Sequence, residues 1–266
     1  MPFRLLALFL TAAAVASTAD AAGLLWKFPE DGTSATYRGE YKQLVRRTDA
    51  TQQDVTLSWA RTLTVRVVGT EQAEYMGKPV AARWLEIEQA TGELIGGAVQ
   101  AGPGGRTIVK LLVPESALSG ATTDEDGVPQ SFIPIIKGWR QIDDRPVEEL
   151  PAKAYDPSPE MTLLGFPNDL QPSGETPVQI AGQNADGTTW KGERTTESKW
   201  KRAVTKTELT RSDAAPFGSV GWTVEVETFE KQSTQGRGEF ETVTDASETM
   251  QLVEVTDGAT ALLAVP

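Results

Sequence analysis

The chain has no histidine and no cysteine among its 266 residues. Without them there is no Ser-His-Asp or Cys-His nucleophile system, no histidine general base, no thiol chemistry and no ordinary zinc site. Carboxylate-based hydrolysis, lysine-based nucleophilic work and hard metals bound by oxygen stay open. Disulfides are excluded as well, and a chain of this length can bury a core without them. Long apolar runs are also missing beyond the first residues, so no transmembrane helix is expected. Net positive charge is lacking too. The formal charge is −12, which repels phosphate backbones and anionic membrane surfaces, and nucleic acid is not an expected partner.

The opening, MPFRLLALFLTAAAVASTADAAG, is the one long apolar feature. Arg4, an apolar run from Leu5 to Ala16 and the small-residue pattern Ala19-Asp20-Ala21 describe a secretory signal peptide cleaved after Ala21. Cleavage removes Arg4 and Asp20, one charge of each sign, so the mature charge stays at −12. The expectation is an exported protein, periplasmic or extracellular, with no lipid-anchored cysteine.

Helical periodicity is equally scarce. No segment sustains a 3.6-residue apolar stripe, while alternation is common. In VTLSWARTLTVRVV (55–68), Leu57, Trp59, Leu63, Val65 and Val67 share one parity, and Ser58, Thr62, Thr64 and Arg66 the other. That is the pattern of a strand with one buried face. Residues 81–89, 106–113, 221–231, 238–244 and 248–256 behave alike, separated by turn signals such as GKP, GPGG, NADG and TDG. The expected class is mainly β: large antiparallel sheets forming a barrel, half-barrel or sandwich, with few short helices.

Ten of the sixteen prolines fall between 114 and 177. Proline removes a ladder donor and restricts its predecessor, so this stretch reads as a connection lying across the sheet, with one or two helical turns at IDDRPVEEL (142–150). The expected layout is a signal peptide (1–21), an N-terminal β half (22–113), the proline-rich connection (114–177) and a C-terminal β half (178–266). TYRGEY (36–41) resembles TWKGER (189–194), and WLEIE (84–88) resembles WTVEVE (222–227). Both suggest two related halves.

Several constellations could carry chemistry. Glu86 with Glu88 and Glu225 with Glu227 are E-x-E pairs, about 6.5 to 7 Å apart on a strand, close to the carboxylate gap of an inverting glycosidase. Their neighbours Leu85, Ile87, Val224 and Val226 form the apolar parity, so the glutamates are expected to face water. Asp143 and Asp144 are adjacent and diverge on either a strand or a helix. With Glu148 and Glu149 they are the leading carboxylates for a hydrolase, yet a solvated turn accounts for them. Asp124 and Asp126 in TTDEDG resemble part of a calcium loop, but the far-end carboxylate is missing and no metal is expected. Lys137 lies beside an apolar run that could depress its pKa, although such lysines ordinarily keep the amine in water.

Trp59 and Trp222 share parity with aliphatic neighbours and are expected in the core, whereas Trp84 shares parity with Glu86 and Glu88. FIPIIKGWRQIDD (132–144) is expected to roof the sheet, so Trp84, Phe132, Ile135, Ile136 and Trp139 form the candidate ligand site. Two main functions compete. The favoured one is an exported non-enzymatic binding or carrier protein for an apolar or amphipathic, lipid-like ligand or an envelope partner. The other is a carboxylate hydrolase acting on a glycan, and a surface protein without a small ligand is a third. No cofactor is called for by any motif.

Overall fold

The structure is a computed structural model, which describes residues 24–47, 53–102, 104–117, 134–150, 170–232 and 234–265. Within them the chain is all-β. The strands are β1 (Ser34–Val45), β2 (Val55–Tyr75), β3 (Lys78–Ile95), β4 (Ala98–Ala101), β5 (Thr107–Pro114) and β6 (Lys137–Ile142). They continue as β7 (Glu148–Leu150), β8 (Gln171–Ile180), β9 (Gln183–Glu197), β10 (Lys201–Arg211), β11 (Ser219–Glu230) and β12 (Glu241–Thr256). Two single 3₁₀ turns, Glu115–Ala117 and Arg237–Glu239, are the helical structure among the described residues.

All twelve strands belong to one antiparallel sheet in the order β7-β6-β5-β3-β2-β1-β12-β11-β10-β9-β8, with β4 folded back on β3. The sheet does not close into a barrel, since its edge strands β7 and β8 do not pair. Each half is a meander, and β1 joins them by pairing with β12 over its whole length.

The proline-rich connection contains more strand than expected. β6 occupies a proline-free gap, and β8 carries Pro172 and Pro177 on an edge, where a missing N–H costs no ladder bond. IDDRPVEEL forms a turn and β7 rather than helical turns. Asp143 takes the left-handed conformation (φ 48°) that the turn needs. Residues 238–244 and 248–256, which read as two strands, are largely one, β12.

One face of the sheet carries the main core. Ala35 and Tyr37, Leu63, Val65 and Val67, Leu85 and Ile87, Val109 and Leu111, Trp190, Leu209, Trp222, Val224 and Met250 are buried there. The segment 24–28 fills that inner face. Leu25 bridges to Gly218, Trp26 N–H donates to Phe217 O at 2.9 Å, and Ser219 Oγ donates to Leu24 O at 2.7 Å. Gly218 is required here, because its φ is +86° and a Cβ would fall 2.7 Å from Trp26 Cβ. The Trp26–Trp190 and Tyr37–Trp222 rings pack with centroids 5.4 and 5.0 Å apart. Burial drives the Tyr37 phenol well above its ordinary pKa, and its hydroxyl donates to Ser219 O at 3.0 Å. In a second cluster, Val178 and Ile180 of β8 meet Val220, Leu252 and Val255, so β8 curls back toward β12.

The internal resemblances hold only in part. β3-β2-β1 and β11-β10-β9 occupy the same order in the sheet, and Tyr37 and Trp190 pair with Leu63 and Leu209. One strand further on, Leu63 pairs with Gln89 while Leu209 pairs with Trp222. Gln89, not Trp84, therefore takes the place that Trp222 holds.

Candidate functional site

The outer face of β3 and β5 is built by alternation. Where Leu85 and Ile87 turn inward, Trp84, Glu86 and Glu88 turn outward, opposite Leu112, Lys110 and Ile108 of β5. β5 reads TIVKLLVP, apolar on both parities, as a strand buried on both faces must be. The cover is the C-terminal segment after β12. It is tied by Ala259 N–H to Gly32 O at 2.7 Å, and it buries Leu263.

This corrects the expectation that both glutamates of the first E-x-E pair face water. Glu86 is fully buried. Its carboxylate accepts Leu262 N–H at 2.8 and 3.0 Å and Leu263 N–H at 2.9 Å, and Arg66 lies 3.5 Å away. Lys110 Nζ donates to Leu263 O at 3.3 Å. Glu88 sits between Arg66 and Arg106, each at 2.6 Å. Burial raises its pKa, but the hydrogen bonds and charges of the two arginines outweigh that and hold it below the usual carboxylate range. Glu225 and Glu227 do face water.

Trp84 and Trp139 pack on this outer face with ring centroids 5.5 Å apart, across β5. Lys110 Nζ lies 5.5 Å from the Trp84 centroid, and Trp84 Nε1–H donates to Glu71 at 3.1 Å. Lys137 donates to the same carboxylate at 2.9 Å, which holds Glu71 below the ordinary range. Lys137 is exposed in that ion pair. Ile135 is buried in the main core cluster, Ile136 is half-buried, and Phe132 lies outside the described residues. The aromatic pair therefore sits on the outer face of the sheet, and Ile135 in the core.

Two of the four acidic candidates are held by structural bonds. Asp143 Oδ1 accepts Arg106 N–H at 2.7 Å, Glu148 pairs with Arg140 at 2.8 Å, and Asp144 and Glu149 are exposed. Asp124 and Asp126 lie outside the described residues. Among those described, no group of three or more acidic side chains is placed to hold a metal ion.

Beyond the core, the inner face changes character. Arg61 and Glu248 form an ion pair with side chains 8% and 2% exposed. Trp222 Nε1–H donates to Glu248 at 2.7 Å, Arg61 Nε–H donates to Thr91 Oγ1 at 2.9 Å, and the guanidinium lies 4.8 Å from the Tyr41 centroid. A cavity of about 10 Å³ beside this pair has room for a single water at most. Past it the same parity continues through Tyr41 and Val45, Val55, Leu57 and Trp59, Val226 and Ala246, all half-buried. Trp59 is thus less deeply placed than its parity suggested, while Trp222 is buried as expected. The alternation in 55–59 marks the parity of this lane but not its partial exposure.

A separate cleft of about 480 Å³ lies beside the curled edge, lined by Trp190, Arg211, Asp186, Asp213 and Glu175 among others. Arg211 pairs with Asp213 at 3.2 Å and stacks 4.5 Å from the Trp26 centroid. The chain matches no protein-family model, and no curated protein matches it.

Proposed function

We propose that the protein is an exported, non-enzymatic carrier that holds an apolar or amphipathic ligand on the inner face of a half-barrel. The carrying observation is the lane past the Arg61–Glu248 pair. Val45, Val55, Leu57, Trp59, Val226 and Ala246 continue the core parity yet are only half-buried, so apolar surface is left for a ligand to cover. Export rests on the leader at 1–21. The absence of histidine and cysteine fits a protein without a catalytic nucleophile system. The common order of β3-β2-β1 and β11-β10-β9 supports reading the sheet as two related halves.

The test is native mass spectrometry of protein purified without detergent. A lipid-sized mass that is lost in Trp59→Glu, with the fold retained by circular dichroism, is expected. The cleft beside Trp190, with acids Glu175, Asp186 and Asp213 around an aromatic ring, favours a second reading as a glycan-binding or glycan-hydrolysing protein. Clean apoprotein together with a hit on a glycan array would overturn the carrier in its favour.

A further inference from the structure

Antiparallel pairing sets the ends of β1, β3, β9 and β11 and the starts of β2, β10 and β12 at one end of the sheet. The inner-face lane opens at this end. Two hairpin tips there show apolar side chains to solvent. At the β9–β10 turn Trp200 is 58% exposed, and at the β3–β4 tip Leu94 is 63% and Ile95 49% exposed.

Neither tip is loose. Ser198 N–H donates to Lys201 O at 2.7 Å, Lys201 N–H donates to Ser198 Oγ at 3.1 Å, and Lys231 N–H donates to Trp200 O at 3.0 Å. The β3–β4 loop is Gly96-Gly97, both at positive φ (62° and 83°), the tight two-residue connection that glycine permits. Large apolar side chains are thus held in water on ordered turns, where a polar residue would serve the turn as well.

Charge identifies the occupant. Trp200 lies between Lys199 and Lys201, a local cationic pair in a chain whose net charge of −12 otherwise repels anionic surfaces, whereas the adjacent Arg202 and Lys231 lie over the Phe229 and Phe240 rings. Two nearby acids are turned to internal tasks: Glu197 is bonded to Arg237 at 2.8 Å, and Glu239 accepts Gly236 N–H at 2.5 Å. Glu230 and Glu241 are set against the cations. Lys199 and Lys201 form no ion pair among the described residues. An exposed tryptophan between lysines fits a bilayer interface, with the ring at the headgroup level and the amines on lipid phosphates.

We propose that this end of the sheet docks on an anionic lipid surface through Trp200, Lys199 and Lys201, with Leu94 and Ile95 as a second contact. The mouth of the lane then faces the bilayer, the geometry a carrier needs to exchange an amphipathic ligand. The purpose rests on the carrier reading, but the binding is measured without reference to cargo.

The experiment is flotation of the full chain with vesicles of phosphatidylcholine alone or mixed with phosphatidylglycerol. Wild type floats with the mixed vesicles and much less with the neutral ones. Each lysine near an anionic surface supplies roughly fivefold in partitioning, so Lys199→Glu/Lys201→Glu weakens it by about 25-fold or more. Trp200→Ser weakens binding to mixed vesicles at unchanged melting temperature, and Met76→Ser at the opposite end leaves it intact. Flotation equal on both vesicle types, insensitivity to these variants, or no flotation at all overturns the proposal. An intact lipid-sized adduct in Trp200→Ser with flotation lost leaves the carrier reading standing, whereas flotation without any adduct counts against the carrier alone.

Discussion

Replacing Glu86 with glutamine should cost about 2 to 3 kcal/mol, and the loss should depend on the C-terminal segment. The carboxylate accepts two backbone N–H groups at 2.8 to 3.0 Å while fully buried. Hydrogen bonds to a charged group contribute about 1.5 to 3 kcal/mol each. Oε2 accepts both N–H groups, so glutamine can keep both bonds there, but it turns two charged bonds into neutral ones of about 0.5 to 1.5 kcal/mol each and points its amide donors at Leu262 N–H and the Arg66 guanidinium. The protein can escape a larger loss by releasing the segment. That exposes Leu263, whose burial contributes about 1.5 to 3 kcal/mol and thereby limits the effect. Deleting residues 261–266 opens Glu86 to water, and in that background Glu86→Gln should change stability by less than about 0.5 kcal/mol, a coupling of about 2 kcal/mol. Urea denaturation followed by tryptophan fluorescence gives the four corners of the cycle, and amide exchange at Leu262 and Leu263 shows whether the segment has detached. Equal losses in both backgrounds would refute the clasp.

Arg61→Leu should destabilise by about 3 to 5 kcal/mol, because it strands a buried Glu248, and the double variant with Glu248→Leu should recover part of that; urea midpoints showing simple additivity would contradict it. Ile135→Ala, in the core cluster, is expected to lose about 2 to 5 kcal/mol by thermal or urea melts. Asp143→Asn should stay within about 0.5 kcal/mol, since asparagine keeps the acceptor for Arg106 N–H and tolerates the left-handed turn; a large loss there would mean that the charge itself matters. Glu88 has a depressed pKa when folded, so its contribution is full above the ordinary glutamate pKa and drains as pH falls through the folded value. Glu88→Gln should flatten the acid limb of a stability-versus-pH series, and an unchanged limb would rule the site out.

Strand identity was legible wherever one face meets the core. Residues 55–68 and 221–231 alternate cleanly because the other face of each is polar. Alternation failed at Glu86 because the rule assumes water on the polar side, and the cover comes from a segment distant in sequence. Two signals pointed to it: β5 is apolar on both parities, which requires cover on both faces, and Leu262-Leu263 follows the Asp257-Gly258 turn. β8 was missed because QPSGETPVQI carries almost no strand propensity; it pairs only as an edge, where prolines are tolerated. In sequence Asp143 reads as surface chemistry or a solvated turn, and a bond to a backbone N–H of another connection has no sequence signature. The half-buried lane was invisible for a different reason, since parity tells which face a residue joins and not how much chain lies over it.

Among the described residues, cover is distributed unevenly over the sheet. Residues 24–28 cover the inner face and the C-terminal segment covers the outer face, both near the end of the sheet that holds Gly32, Ser34 and Thr256. The strands run on past the Arg61–Glu248 pair, and among the described residues no comparable core cluster covers the inner face at that other end. A ladder of backbone hydrogen bonds adds only modest net stability, so a single uncovered layer of sheet is held mainly by what packs on it. Backbone opening should therefore begin at the Val45 and Val55 end and stop at the buried ion pair. A ligand lying along Leu57, Trp59 and Val226 would supply the missing layer, and it would do so next to the exposed Trp200 turn. On the carrier reading proposed above, the same incomplete cover that weakens this end of the sheet is what would let it take up and release an apolar guest.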